Sequence, residues 1–256
     1  MRYKITFSYS GAPYCGWQIQ DNAPTVQGEV ERALSVLLGH QVSVTGAGRT
    51  DTGVNALHYP AHFDTELPIE ATYLLYKLNA IVGKGIVFHS IEQCSENFHA
   101  RFDAVRRTYN YFVNKKKDPF IENFSYRYPY ELEIEKMNSA AARLVGEKDF
   151  SAFEKTGTSN STSVCKVFSA KWECYVPSYL SAAGLAPQDR QDYLVFEISA
   201  NRFLRNMVRA IAGTLLDIGR GKRPPEWISE VIESKNRCSA GQSVPGRALF
   251  LTKVEY

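Results

Sequence analysis

At 256 residues, with 44% apolar and 22% charged side chains, the chain has the make-up of an ordinary globular protein. It can bury a sizeable core, as one large domain or two modest ones. No apolar run approaches the length that spans a bilayer, and five cysteines without a Cys-x-x-Cys pair argue against a disulfide framework. The start, Met1 to Thr6, alternates like a strand and lacks the apolar core of a secretion signal, so a cytoplasmic protein is expected.

In chain order, residues 2–10 read as a strand, and the loop 11–24 carries Gly11, Pro13, Gly16 and Pro24. Thr25 is a candidate N-cap, and Val26, Val30, Ala33, Leu34, Leu37 and Leu38 recur at helical spacing, which predicts an amphipathic helix over 26–39. Strands over 42–44 and 54–63 flank a glycine-rich loop; a helix over 69–81 and a strand over 86–91 follow. This order predicts a helix-backed sheet.

The second half repeats the theme loosely. A strand over 107–115 puts Tyr109, Tyr111 and Val113 on one face by alternation. A helix over 133–145, strands over 164–176 and 193–199, a long helix over 203–218, a short one over 224–235 and a strand over 248–256 complete the chain. Residues 177–191 have the composition of an inserted loop. In the helix 203–218, Leu204, Met207, Val208, Ile211, Leu215 and Ile218 share one face, and Arg202, Arg205 and Arg209 gather on the other. The fold class expected is α/β of the α+β type, with an N-terminal half over 1–104 and a C-terminal half over 105–256.

The net charge of +3 is unevenly spread. Residues 101–117 hold six cations (Arg101, Arg106, Arg107, Lys115, Lys116, Lys117) against Asp103. Residues 202–223 hold another six (Arg202, Arg205, Arg209, Arg220, Lys222, Arg223) against Asp217. The remainder is acidic, so two basic patches suit a polyphosphate partner such as RNA. Solvated basic faces without a partner are the plainer reading.

The chemistry concentrates in Gly46-Ala47-Gly48-Arg49-Thr50-Asp51-Thr52-Gly53-Val54-Asn55-Ala56. One carboxylate stands between an arginine two residues back and a glycine two residues on. Glycines at 46, 48 and 53 permit tight turns or close approach of a ligand. The neighbouring cation favours the ionised form of Asp51, the form that acts as nucleophile or charge stabiliser. Other chemistries fare worse. His58-x-x-x-His62 is interrupted by Pro60 and has no further ligand at metal spacing. Asp51 has no acidic neighbour nearer than Asp64, whereas a glycosidase needs two carboxylates across the scissile bond. Nucleotide-binding and nucleophile-elbow fingerprints are absent.

Gly-Arg-Thr-Asp-x-Gly-Val at 48–54 resembles the catalytic loop of the tRNA pseudouridine synthase A family, and other segments match in order. Tyr9-Ser10-Gly11, Gly16-Trp17-Gln18-x-Gln20 and Thr25-Val26-Gln27 are similar to the opening of that family. Phe98-His99-Ala100-Arg101-Phe102 leads into Arg107-Thr108-Tyr109-Asn110-Tyr111, similar to its Arg-x-Tyr-x-Tyr strand. Phe203-Leu204-Arg205-Asn206-Met207-Val208-Arg209-x-Ile211-x-Gly213 resembles its late helix, and Leu249-Phe250-Leu251-x-x-Val254-Glu255-Tyr256 its last strand. Two departures stand out. Asn55 occupies a position where His is common and cannot titrate, and Val244-Pro245-Gly246-Arg247-Ala248 is looser than the usual Ala-Pro-Ala-x-Gly.

The resemblance implies the pseudouridine synthase fold, two related sheet-plus-helix halves around a central cleft, and a homodimer acting on tRNA. It implies conversion of uridine to pseudouridine at tRNA positions 38, 39 and 40, without cofactor or metal. It makes Asp51 the nucleophile, with Arg49 and Arg209 in the catalytic set, Arg209 partnering the Asp51 carboxylate. It makes Tyr109, Arg49 and Arg205 substrate-binding residues. A synthase for another RNA, or a non-catalytic RNA-binding protein using the same basic patches, are the alternatives.

Overall fold

The computed structural model describes residues 1–155, 157 and 162–256. In chain order the first elements are β1 (Arg2–Tyr9), α1 (Val26–Leu38), β2 (Val44–Gly46), β3 (Asn55–Asp64), α2 (Ala71–Ile81) and β4 (Ile86–Cys94). There follow β5 (Arg106–Asn114), β6 (Tyr126–Arg127), α3 (Ile134–Ala142), β7 (Gly146–Asp149), β8 (Val164–Cys174), α4 (Ser178–Ala182) and β9 (Tyr193–Ala200). The last are α5 (Met207–Gly219), α6 (Trp227–Ser234) and β10 (Leu249–Glu255). They group into two compact units, Met1–Arg107 with Phe250–Tyr256, and Thr108–Leu249.

In the first unit the strand order is β4-β1-β3-β10, with β2 paired to β3. β1 runs antiparallel to both β3 and β4, and Ile5 lies opposite Ala61 on one side and Ile91 on the other. Alternation along β1 buries Tyr3, Ile5, Phe7 and Tyr9. α1 begins where the sequence predicts: Thr25 accepts the Gly28 amide at 3.3 Å, and Val26, Val30, Ala33 and Leu34 form its buried stripe. Each buried Val or Leu of the stripe contributes about 1.5–3 kcal/mol.

The closing strand departs from expectation. The sequence assigns it to the C-terminal half, but β10 runs parallel to β3 in the first unit, Phe250 opposite Asn55 and Leu251 opposite Ala56. Its apolar run fits any sheet; only backbone pairing with residues far away in the chain selects this one.

In the second unit the strand order is β5-β9-β8-β7, with β6 paired to β5. β8 and β9 are antiparallel, as are β7 and β8, and a stacked Trp172–Phe196 pair at 5.1 Å lies in the core. α5 is almost wholly buried along its length. It starts four residues after the predicted Phe203, because Asn206 takes φ +69° and the chain turns before the helix begins. Arg202 and Arg205 therefore lie ahead of the helix rather than on a stripe along it. The expected helix over 133–145 also ends early, at Ala142, and Gly146–Asp149 forms the edge strand β7. Within 177–191, a single short helix, α4, interrupts the loop.

Candidate active site

In the first unit, the segment between β2 and β3 carries Arg49, exposed, and Asp51, half-buried. Its backbone is held from several sides. The Ala47 amide donates to the Pro60 carbonyl at 3.0 Å, and the Trp17 amide to the Thr50 carbonyl at 3.2 Å. The Tyr59 hydroxyl donates to the Gly48 carbonyl, and the Tyr9 and Thr50 hydroxyls are hydrogen-bonded at 2.9 Å. The Val54 amide closes the turn on the Asp51 carbonyl at 3.1 Å.

Glycines at particular positions are required by this geometry. Gly53 takes φ +77°, and Gly16, at φ +92°, passes so close that a Cβ there would stand 2.5 Å from the Thr50 carbonyl oxygen. Of the glycines that the sequence reading groups at 46, 48 and 53, Gly46 is also tightly packed, since a Cβ there would stand 2.6 Å from the Trp17 ring, whereas at Gly48 a Cβ would meet nothing within 4 Å. Beneath the loop, Phe7, Tyr9, Trp17 and Tyr59 pack as an aromatic cluster, the Trp17 and Tyr59 rings 4.4 Å apart. The carboxylate of Asp51 thus projects from a backbone with little freedom to move. Tyr59 is the residue that sequence reasoning missed; its only signal is its place in the alternation of β3.

Asn55 is buried, and its side-chain oxygen accepts the Gly11 amide at 2.9 Å. An acceptor suffices for that bond, which explains how a residue unable to titrate stands where His is common. His62 accepts the Ala100 amide on Nδ1 at 3.1 Å, and burial pushes its pKa down to about 4, so it is neutral at physiological pH. Among the described residues, no group of three or more His, Cys, Asp or Glu side chains could hold a metal ion. Among them, too, no helix is long and apolar enough to cross a membrane.

In the second unit, Tyr109 lies on β5, half-buried, with the Phe203 ring edge-on to it at 5.1 Å. Phe203 stands two residues ahead of Arg205, which is exposed and whose carbonyl accepts the Lys155 amide at 3.0 Å. Arg209, on the first turn of α5, donates through Nε to the Val244 carbonyl at 2.8 Å. Tyr111, two residues beyond Tyr109, is fully buried; its hydroxyl donates to the Pro245 carbonyl at 3.0 Å, and burial raises its pKa. Val244 and Pro245 act through backbone carbonyls, so the loose match of 244–248 to the family pattern leaves these contacts intact.

The basic patch over 101–117 is largely consumed within the protein. Lys115 is buried and pairs with Glu131 at 2.8 Å and Asp189 at 3.6 Å; Lys116 pairs with Asp192 at 3.2 Å. Arg107 donates to the carbonyls of Ala104, Ala47 and Arg101, and Arg106 lies 3.7 Å from Glu255. In the second patch Lys222 pairs with Asp217 at 2.6 Å, and the Arg220 guanidinium lies 3.5 Å from the Tyr130 ring centroid. The clusters read from charge counts are therefore much less available than their formal charge suggests.

Residues 140–256 match a family model described as tRNA pseudouridine synthase. The chain is 45% identical to a tRNA pseudouridine synthase A of Parabacteroides distasonis, an alignment covering 100% of this chain and 96% of that protein. It is 44% identical to one of Bacteroides thetaiotaomicron, over 100% of this chain and 90% of the relative. With one of Listeria monocytogenes the identity is 39%, over 100% and 99%.

Proposed function

The chain belongs to the tRNA pseudouridine synthase A family, and from that premise we propose that it isomerises uridine to pseudouridine at positions 38, 39 and 40 of the tRNA anticodon stem-loop. The reaction breaks the bond between ribose and a ring nitrogen, turns the base, and rejoins ribose to a ring carbon. The carbon loses its proton as the freed nitrogen gains one. There is no net oxidation or group transfer, so the residues alone can serve.

Asp51 is the nucleophile or charge stabiliser. The observation that carries this reading is the clamped loop: the backbone on either side of Asp51 is tied to β3, to the opening segment and to an aromatic floor. A rigidly presented carboxylate is the form in which positioning contributes most to rate. It can attack the ribose, attack the pyrimidine or assist proton loss from the sugar. Arg49 lies two residues away on the same loop, where its guanidinium suits a substrate phosphate.

A target base in a stem or loop must leave its stack to be reached. Tyr109 offers an aromatic face for it, with its plane set by the edge-on Phe203. Arg205 and Arg209 serve substrate binding and the catalytic set respectively. The same reading makes the protein a cytoplasmic homodimer with tRNA as its partner.

Mapping pseudouridine in total tRNA from cells lacking this protein tests the proposal. Loss at positions 38, 39 and 40, restored by wild type but not by Asp51→Ala, is expected. Loss at other sites overturns the substrate, and no loss at all favours a non-catalytic RNA-binding protein.

A further inference from the structure

Three consecutive residues of the strap between α6 and β10 each grip a different part of the second unit. The Ser243 hydroxyl accepts Nδ2 of Asn206 at 2.7 Å and Nη2 of Arg237 at 2.7 Å. The Val244 carbonyl accepts Nε of Arg209 at 2.8 Å, and the Val244 amide returns a bond to the Arg209 carbonyl at 3.3 Å. The Pro245 carbonyl accepts the Tyr111 hydroxyl at 3.0 Å. The strap is itself seated on α5: the Gly241 amide donates to Thr214 Oγ1 at 2.9 Å, and Arg237 Nη1 reaches the Gly241 carbonyl at 3.1 Å. At Gly213, a Cβ would stand 1.8 Å from the Gln242 carbonyl oxygen, so helix and strap touch backbone to backbone.

Asn206 is the point where this arrangement is set. It separates Arg205 from the helix that carries Arg209, and it does so at φ +69°, a conformation that Asn tolerates better than most residues. Its side chain makes no cap bond to the helix; the amide goes instead to Ser243. A hydroxyl receiving two donors from different segments is hard to replace with an apolar group, because both donors lose their acceptor at once.

We propose that Ser243 is a positioning residue for the isomerisation, acting through Asn206 and the adjoining Val244 carbonyl to fix the directions of Arg205 and Arg209. The inference rests on the catalytic and binding roles given to those arginines above. It assigns Ser243 no contact with substrate. Its effect is on where the two guanidinium groups stand, and a misplacement on the order of 1 Å at such groups costs about a hundredfold in rate.

Single-turnover pseudouridine formation on an unmodified tRNA transcript, with tRNA affinity measured separately, tests it. Ser243→Ala is expected to lower the rate at saturating enzyme by about tenfold to a hundredfold while tRNA affinity changes by no more than about threefold, and Ser243→Thr, which keeps the hydroxyl, is expected to restore most of the rate. Asn206→Gly keeps the backbone conformation, removes the amide, and is expected to reproduce the rate loss; it serves also if Ser243→Ala folds poorly. In an Arg209→Ala background, Ser243→Ala is expected to add much less than it does alone. Full rate in both single variants, or full additivity with Arg209→Ala, overturns the inference. An inactive wild-type protein instead overturns the isomerase reading, so the two failures are distinct.

Discussion

Gly16→Ala is the sharpest perturbation of the Asp51 loop, because it leaves every candidate side chain in place. The new Cβ would stand 2.5 Å from the Thr50 carbonyl oxygen and 3.2 Å from the Asp51 carbonyl carbon. Ordinary contact begins near 3.4 Å, so one backbone must yield by close to 1 Å. The neighbour is main chain on both counts, so no flexible side chain can swing away. The φ of +92° at Gly16 adds a backbone cost of about 1–3 kcal/mol for a residue with a Cβ. Together these predict a loss of about 2–4 kcal/mol in stability, within the range of strained-backbone substitutions. The displaced loop carries Asp51, and a shift on the order of 1 Å predicts a rate reduction of about a hundredfold. Urea unfolding and single-turnover pseudouridine formation below the melting range measure the two effects. Gly48→Ala is the control: with nothing within 4 Å of its Cβ, its stability should stay within about 0.5 kcal/mol of wild type. Wild-type stability and rate in Gly16→Ala would refute the clamped-loop argument.

Asp51→Asn should abolish pseudouridine formation while leaving tRNA binding within a few fold; turnover within tenfold of wild type would remove Asp51 from the chemistry. Tyr109→Leu should weaken base stacking by about 1–3 kcal/mol while Tyr109→Phe retains it, so any further loss in the Phe variant belongs to the hydroxyl; full activity in Leu returns Tyr109 to the core of β5. His62, held to a pKa of about 4 by burial, takes up a proton more readily unfolded than folded. Its contribution is present above pH 6.5 and is lost as pH falls toward 4, by at most about 3 kcal/mol. His62→Gln should flatten the urea midpoint over that window relative to wild type, and an unchanged slope would exclude His62 as its source. Lys115→Gln and Lys116→Gln should leave the salt dependence of tRNA binding unaltered, because those ammonium groups are already paired with Glu131, Asp189 and Asp192. A flatter salt slope in either variant would show that it neutralises a phosphate.

Local periodicity and capping were sufficient to predict much of this protein. The Thr25 cap and the apolar stripe of α1, the alternation of β1, and the glycine-flanked Asp51 are all properties of neighbouring residues, and each is legible without the rest of the chain. What depended on tertiary structure involves residues distant in sequence. β10 joins the first unit through backbone bonds to β3, and Lys115 and Lys116 lose their availability to acids from other segments. The turn at Asn206 comes from a left-handed backbone that helical spacing does not reveal, secured by a hydroxyl at Ser243. Asn55 illustrates the same division. As a sequence it reads as a missing titratable group; in the fold it is the buried acceptor that ties Gly11 to the start of β3. Hydrophobic patterning chooses which face of an element is buried, whereas polar groups inside a protein must find partners wherever the fold brings them, and that search is settled only by the completed packing.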